Sequence, residues 1–400
     1  MGRELTQIEA MKIIRTVGSA GQPPAWGVEY FTDGFEPTLD LLKEEYFSSF
    51  LKEGGAAFKL VIGHYGGGKT HFLYLLRDLA WENDFVVTYV SLTPDACPFH
   101  RLDLVYRAVC SGISCFVEGE EIATGLAPLL KTTISRWRAK VRGGSDEMVE
   151  RLAIDSTRDL ANLNFQRAMR KALTALLRGG GEDDELAMTM IQWLSAQGYD
   201  RLLYKEHGIL GGIDRSTAFA SMRSLAQWVK NAGFSGLVIL FDEAERAASM
   251  SGKQKEFILS NLRELIDETA RGTLPGTLVA YAIPDYRLFD GKTGVYEAVK
   301  QRTGSMFDFY NPSGVRIDLE QMITEPEKHI RSIGEKLWRI YEMAHGVELP
   351  PEKTAEGIGA VAAAVLQARF ADISYRRLFV QSVVKAFEQI RRKSDLQVGD

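Results

Sequence analysis

The sequence predicts an α/β fold: a parallel sheet flanked by helices, with a helical insertion and a C-terminal helical lid. Three observations carry that prediction. Short apolar runs alternate with helical segments, the pattern of a parallel sheet covered on both faces. One run leads straight into "VIGHYGGGKTHF" (Val61–Phe72), with four glycines in six residues before a lysine and a threonine. Another, "GLVILFDEAERA" (Gly236–Ala247), ends in two adjacent acids.

Taken in order, residues 1–55 read as helices and loops. "LTQIEAMKIIRTVG" (Leu5–Gly18) has helical periodicity and a glycine stop. "SAGQPPAWG" is a breaker-rich loop, and Glu36–Gly55 is a second helix ending in glycine. Strands are expected at Ala56–Gly63, Phe85–Leu92, Val238–Phe241, Gly276–Ile283 and Gly314–Leu319. From Arg101 a long helical stretch begins, and residues 121–232 show almost no strand signal. Helices at Leu319–His345, Ala355–Phe370 and Ser374–Arg392 close the chain. The expected organisation is an N-terminal helical segment at 1–55, a core at 56–319 with the insertion at about 121–232, and a lid at 320–400.

The 400 residues exceed what one small core needs and allow one large α/β domain with an appendage, or two to three domains. A net charge of −5 excludes a generally basic, polyanion-binding surface, so any nucleic-acid contact must be local. The three cysteines, Cys97, Cys110 and Cys115, form no C-x-x-C pair and fit buried thiols in a reducing cytoplasm. No apolar run reaches membrane-spanning length, so no membrane association is expected.

Gly63-His64-Tyr65-Gly66-Gly67-Gly68-Lys69-Thr70 fits G-x-x-x-x-G-K-[ST], the phosphate-binding P-loop or Walker A motif. The loop must turn its N–H groups inward around a phosphate, and side chains would obstruct that approach. Lys69 is expected on the β- and γ-phosphates and Thr70 on Mg²⁺, while the helix they open directs its N-terminus at the anion. His71 follows directly and belongs to the expected nucleotide-binding set. Strand, glycine loop and helix provide the setting the motif requires.

Asp242 ends an apolar strand, where ligands gather in open α/β sheets, and is expected to hold Mg²⁺ with Thr70. Glu243 would activate the attacking water and so separates hydrolysis from mere binding. Two arginines would add positive charge near the γ-phosphate. Arg302, in "GVYEAVKQR", stands where a charge reaching a neighbouring subunit's nucleotide belongs in oligomeric ring ATPases. Arg376, in "ISYRRLF", would fold back from the last helix onto the phosphates. A P-loop core with a C-terminal helical bundle is the AAA+ plan. A GTPase would show N-K-x-D, which is absent, and "DEAE" would need a second RecA-like domain for which residues 320–400 are too few and too helical.

"KTTISRWRAKVR" (Lys131–Arg142) carries five basic residues and no acid. It is either a solvated helix face or a contact to phosphate backbone or a partner protein. Helical spacing puts Lys131, Arg138 and Arg142 on one face and Arg136 and Lys140 on another.

Together these segments resemble the AAA+-type, BREX-related ATP-binding proteins of bacteria, whose members occur in anti-phage defence systems. The resemblance runs through "IEAMKIIRTVG", "VIGHYGGGKTHFLYLLRDLA", "AFASMRSLAQWVKNAGFSGLVILFDEAER", "AYAIPDYRLF", "YEAVKQR" and "SYRRLFVQSVV". It implies ATP and Mg²⁺ as ligands, with Lys69, Thr70, Asp242 and Glu243 in the site and Arg302 and Arg376 as its arginines. It also implies defence-system subunits as partners, and self-association or association with a related ATPase. One departure concerns the polar sensor slot after the Gly276–Ile283 strand: "AIPD" places Ile283 there, so Tyr281 or Asp285 must substitute or sensing is weak. The leading expectation is an ATPase driving assembly or remodelling on DNA. The rival is an ATP-gated scaffold that turns over little. A signalling NTPase would need a separate effector protein.

Overall fold

A computed structural model describes residues 4–94, 96–119, 121–141, 146–178, 184–244, 251–368 and 375–398. Six strands form one sheet: β1 (Ala56–Ile62), β2 (Phe85–Ser91), β3 (Ile113–Ser114), β4 (Gly236–Asp242), β5 (Thr277–Ile283) and β6 (Arg316–Asp318). Their order is β3-β2-β4-β5-β1-β6, and all pairs are parallel except β2 with β3. Every residue of β4 and β5 is buried, as befits central parallel strands covered on both faces.

The pleat divides the core in two. Leu60, Ile239, Phe241, Val279 and Tyr281 face one layer, with the helices Leu102–Gly112, Ala218–Asn231 and Gly252–Ala270 and the insertion helices. Val61, Val238, Leu240, Leu278 and Ala280 face the other, with the helix Lys69–Glu82, the N-terminal segment and the C-terminal helices. The N-terminal helix Gln7–Ala20 packs directly on the helices Pro326–His345 and Tyr375–Val398. The two ends of the chain therefore join over the same sheet face as the P-loop helix.

Several elements differ from the sequence-based expectation. Gly18 does not stop the first helix. It lies inside, where a Cβ would come 2.8 Å from Val384 Cγ1, so its missing side chain serves a close helix contact. The stop is Gly21, left-handed at φ 58°, whose N–H donates to Val17 O. The stretch from Glu36 is an α-helix to Leu42 and then a π-helix over Lys43–Phe50. β3 falls where a continuing helix was expected; two residues carry no alternation to read. Ala218–Asn231, inside the expected insertion, packs against β4 and so belongs to the sheet's own covering layer. No described helix is long and apolar enough to cross a membrane.

Candidate functional site

β1 delivers the chain to the carboxyl edge of the sheet, where Gly63 N donates to Ile283 O at 3.2 Å. The chain then turns, with Gly67 N donating to His64 O at 2.9 Å. Gly66 and Gly68 have φ of 71° and 90°, values open to glycine and strained for other residues. The helix begins at Lys69. Its Nζ donates to Gly63 O at 3.0 Å and His64 O at 3.2 Å, so the ammonium curls over the loop that it would share with a phosphate.

β4 brings Asp242 to the same edge. Thr70 Oγ1 donates to Asp242 Oδ2 at 2.6 Å, and Tyr89 Oη donates to that oxygen, also at 2.6 Å. The other carboxylate oxygen accepts from Glu243 N at 2.8 Å. Burial and the neighbouring Asp242 carboxylate push the Tyr89 phenol far above its ordinary range, so it remains a donor. Glu243 is a non-glycine residue at φ 60°, and its carboxylate accepts from Ser91 Oγ. In the β2–β4 register Ser91 lies opposite Asp242, and Tyr89 is two residues before it on the same face of β2. Two hydroxyls from one strand thus hold the two acids of the next.

The Thr70 hydroxyl and the Asp242 carboxylate are hard oxygen donors already within hydrogen-bonding distance, a donor set that fits Mg²⁺ completed by waters and phosphate.

Tyr65, Gly66, Gly68, Lys69, Thr70, His71, Asp242, Glu243 and Arg376 line one cleft. The N-terminal segment supplies one wall, including Val17, Gln22, Phe31, Asp33 and Phe35. The C-terminal helices supply another, with His329, Ile333 and Val380. His71 ties the first wall to the P-loop helix. Its Nε2 is 2.7 Å from Thr32 Oγ1 and its ring meets Phe31 edge-on. Burial, with His329 and Arg376 nearby, pushes this imidazole down to about 3. Asp33 ties the two walls together, accepting from Ser332 Oγ at 2.6 Å with His329 Nδ1 3.2 Å away. Tyr65 projects from the loop, 62 % exposed, with Arg377 Nη1 3.5 Å from its hydroxyl.

Arg302 lies outside the cleft walls. Its Nε donates to Asp267 Oδ1 at 2.6 Å and its Nη1 to Ala298 O at 2.9 Å. Of the candidates for the sensor slot, Tyr281 turns into the core, its ring 5.2 Å from that of Phe99. Asp285 caps its own short helix and binds Arg287. In the basic helix, now Leu126–Lys140, Trp137 is buried, and Arg136 is held by Asp84 at 2.7 Å and stacked on Phe234. Arg138 and Lys140 are exposed, and Arg142 lies outside the described residues.

The sequence reading missed Tyr89, Ser91 and Asp33. Only the first two left a signal, polar groups at alternate positions closing an apolar strand.

Residues 6–400 match the family described as BREX system ATP-binding protein BrxC/D. The chain belongs to this BREX ATP-binding family. Neither a curated protein nor a solved structure matches it. Membership of the BrxC/D family identifies ATP as the ligand class and a phage-defence system as the setting, and other subunits of that system follow as partners.

Proposed function

We propose that the chain is a Mg²⁺-dependent ATPase of the AAA+ class that drives or gates assembly of a DNA-associated anti-phage defence complex. The observation that carries this reading is the convergence of Lys69, Thr70, Asp242 and Glu243 at one sheet edge, with Arg376 arriving from the C-terminal bundle. The apolar cleft wall of Val17, Phe31, Phe35, Ile333 and Val380 suits a nucleoside, and Gln22 and Asp33 offer polar groups to its edge. The P-loop amides and Lys69 hold the phosphates, and Thr70 and Asp242 hold the metal ion. When bound, that ion neutralises charge developing on the transferred phosphoryl group. Glu243 takes a proton from the attacking water.

A second reading, an ATP-gated scaffold with little hydrolysis, draws on two observations. Ser91 already holds the Glu243 carboxylate, and the sensor slot carries buried, apolar Ile283. DNA contact, if made through the Leu126–Lys140 helix, draws on its exposed Arg138 and Lys140, while Arg136 is engaged by Asp84. Phosphate release from ATP and Mg²⁺, measured with and without duplex DNA, tests the proposal. The ATPase reading expects turnover that Glu243→Gln abolishes. Tight binding with no turnover in either condition favours the scaffold.

A further inference from the structure

Arg376 is not a free cation waiting over the cleft. Its Nη1 donates to Gly67 O and lies 3.3 Å from Glu320 Oε1. Its Nη2 donates to Glu320 Oε2 at 3.1 Å and to Leu319 O at 3.4 Å. The arginine is 7 % exposed, so its guanidinium left without a partner would be costly, whereas the Glu320 side chain keeps some contact with solvent. Glu320 also rests on the P-loop itself: a Cβ on Gly67 would lie 2.5 Å from its Oε1. A carboxylate thus sits against the phosphate-binding loop, with an arginine between it and a loop carbonyl.

Two consequences follow. The Gly67 carbonyl is turned out to the guanidinium, and in a planar trans peptide the Gly68 N–H then points the opposite way, away from the arginine. Arg376 therefore fixes the orientation of a loop amide from outside. Further, both Nη groups are spent on protein oxygens. The buried Nε has no partner among the described residues, but a phosphate that is to use the Nη pair must take the place of Glu320.

We infer that Glu320 is a displaceable stand-in for phosphate. It holds Arg376 against the outer side of the P-loop before nucleotide binds, and the triphosphate of the nucleotide exchanges with it. Because Arg376 is the second residue of the Tyr375–Val398 helix, the exchange reports phosphate occupancy to a bundle packed on both Gln7–Ala20 and Pro326–His345. Glu320 is a positioning residue, acting through Arg376. The inference rests on the nucleotide-binding reading above.

The test is a titration of the full chain with a fluorescent N-methylanthraniloyl ATP and Mg²⁺, using wild type, Glu320→Gln, Arg376→Ala and the double variant. Glu320→Gln keeps the shape and removes the competing charge, so it binds roughly tenfold more tightly, within the usual range for coupled sites. That gain disappears in the Arg376→Ala background and is absent for the corresponding monophosphate. Glu320→Ala repeats the gain, with thermal unfolding confirming that both variants fold. Binding by Glu320→Gln that is equal to or weaker than wild type overturns the inference. So does an equal gain without Arg376, which would be a bulk charge effect. If wild type binds no nucleotide, the nucleotide reading itself falls, and the inference with it.

Discussion

Thr70 Oγ1 and Asp242 Oδ2, 172 residues apart in the chain, lie 2.6 Å from each other at the carboxyl edge of the sheet. The hydroxyl comes from the P-loop helix and the carboxylate from β4. β5 lies between β1 and β4, so their meeting depends on the strand order.

Tyr89 donates to the same Asp242 oxygen as Thr70. Tyr89→Phe removes that donor while keeping the ring against Tyr74. Groups that orient a metal-binding carboxylate typically matter by 10–100-fold, so roughly tenfold weaker Mn²⁺ binding in the ATP complex is expected. Electron paramagnetic resonance of a Mn²⁺ titration reads it directly. Unchanged Mn²⁺ affinity would show that Thr70 Oγ1 and Glu243 N position Asp242 without Tyr89.

The His71 imidazole is held at about 3 in the folded chain, against an ordinary value of 6.5. The unfolded chain takes up its proton first as pH falls, so the folded state binds fewer protons in that window. The contribution of His71 to stability is complete above pH 6.5 and is lost progressively as pH falls towards 3. Thermal unfolding of wild type from pH 7 to 4 should show this decline, and His71→Asn should flatten it. Parallel curves would remove His71 from the cause.

Gly334 sits where three C-terminal helices meet. A Cβ there would lie 2.9 Å from Ile358 Cγ2 and 3.1 Å from Phe379 Cζ. Gly334→Ala overpacks this contact and should cost about 1–3 kcal/mol in urea denaturation. A stability equal to wild type would mean that the helices separate freely by a few tenths of an ångström.

Arg302 must leave Asp267 before it can reach a neighbouring subunit. If it acts in trans, Arg302→Ala and Lys69→Ala are each inactive alone and partly active when mixed, since each lacks a different half of a shared site. Full activity of a chain that light scattering finds monomeric with ATP and Mg²⁺ contradicts this.

What was legible in the sequence was whatever local chemistry dictates. The P-loop could be read because glycine spacing follows from the backbone's approach to a phosphate. Asp242 could be read because a buried strand makes its first charge conspicuous. Gly18 was misread because a helix-breaking residue and a helix-packing residue look alike until Val384 is in place. Glu320 and Asp33 left no trace, since each acquires meaning only from a partner brought by tertiary packing: Arg376 for one, Ser332 and His329 for the other. Periodicity put Arg136 with Lys140 on one face of the basic helix, but it cannot show that Asp84 waits for Arg136.

On the proposed reading, the P-loop cleft is where this chain holds ATP. Isothermal titration of ATP with Mg²⁺ into wild type and Lys69→Ala tests it most directly. Saturable binding at one site per wild-type chain and no measurable binding to Lys69→Ala are expected, with both proteins folded. ATP bound by Lys69→Ala at wild-type affinity would contradict it.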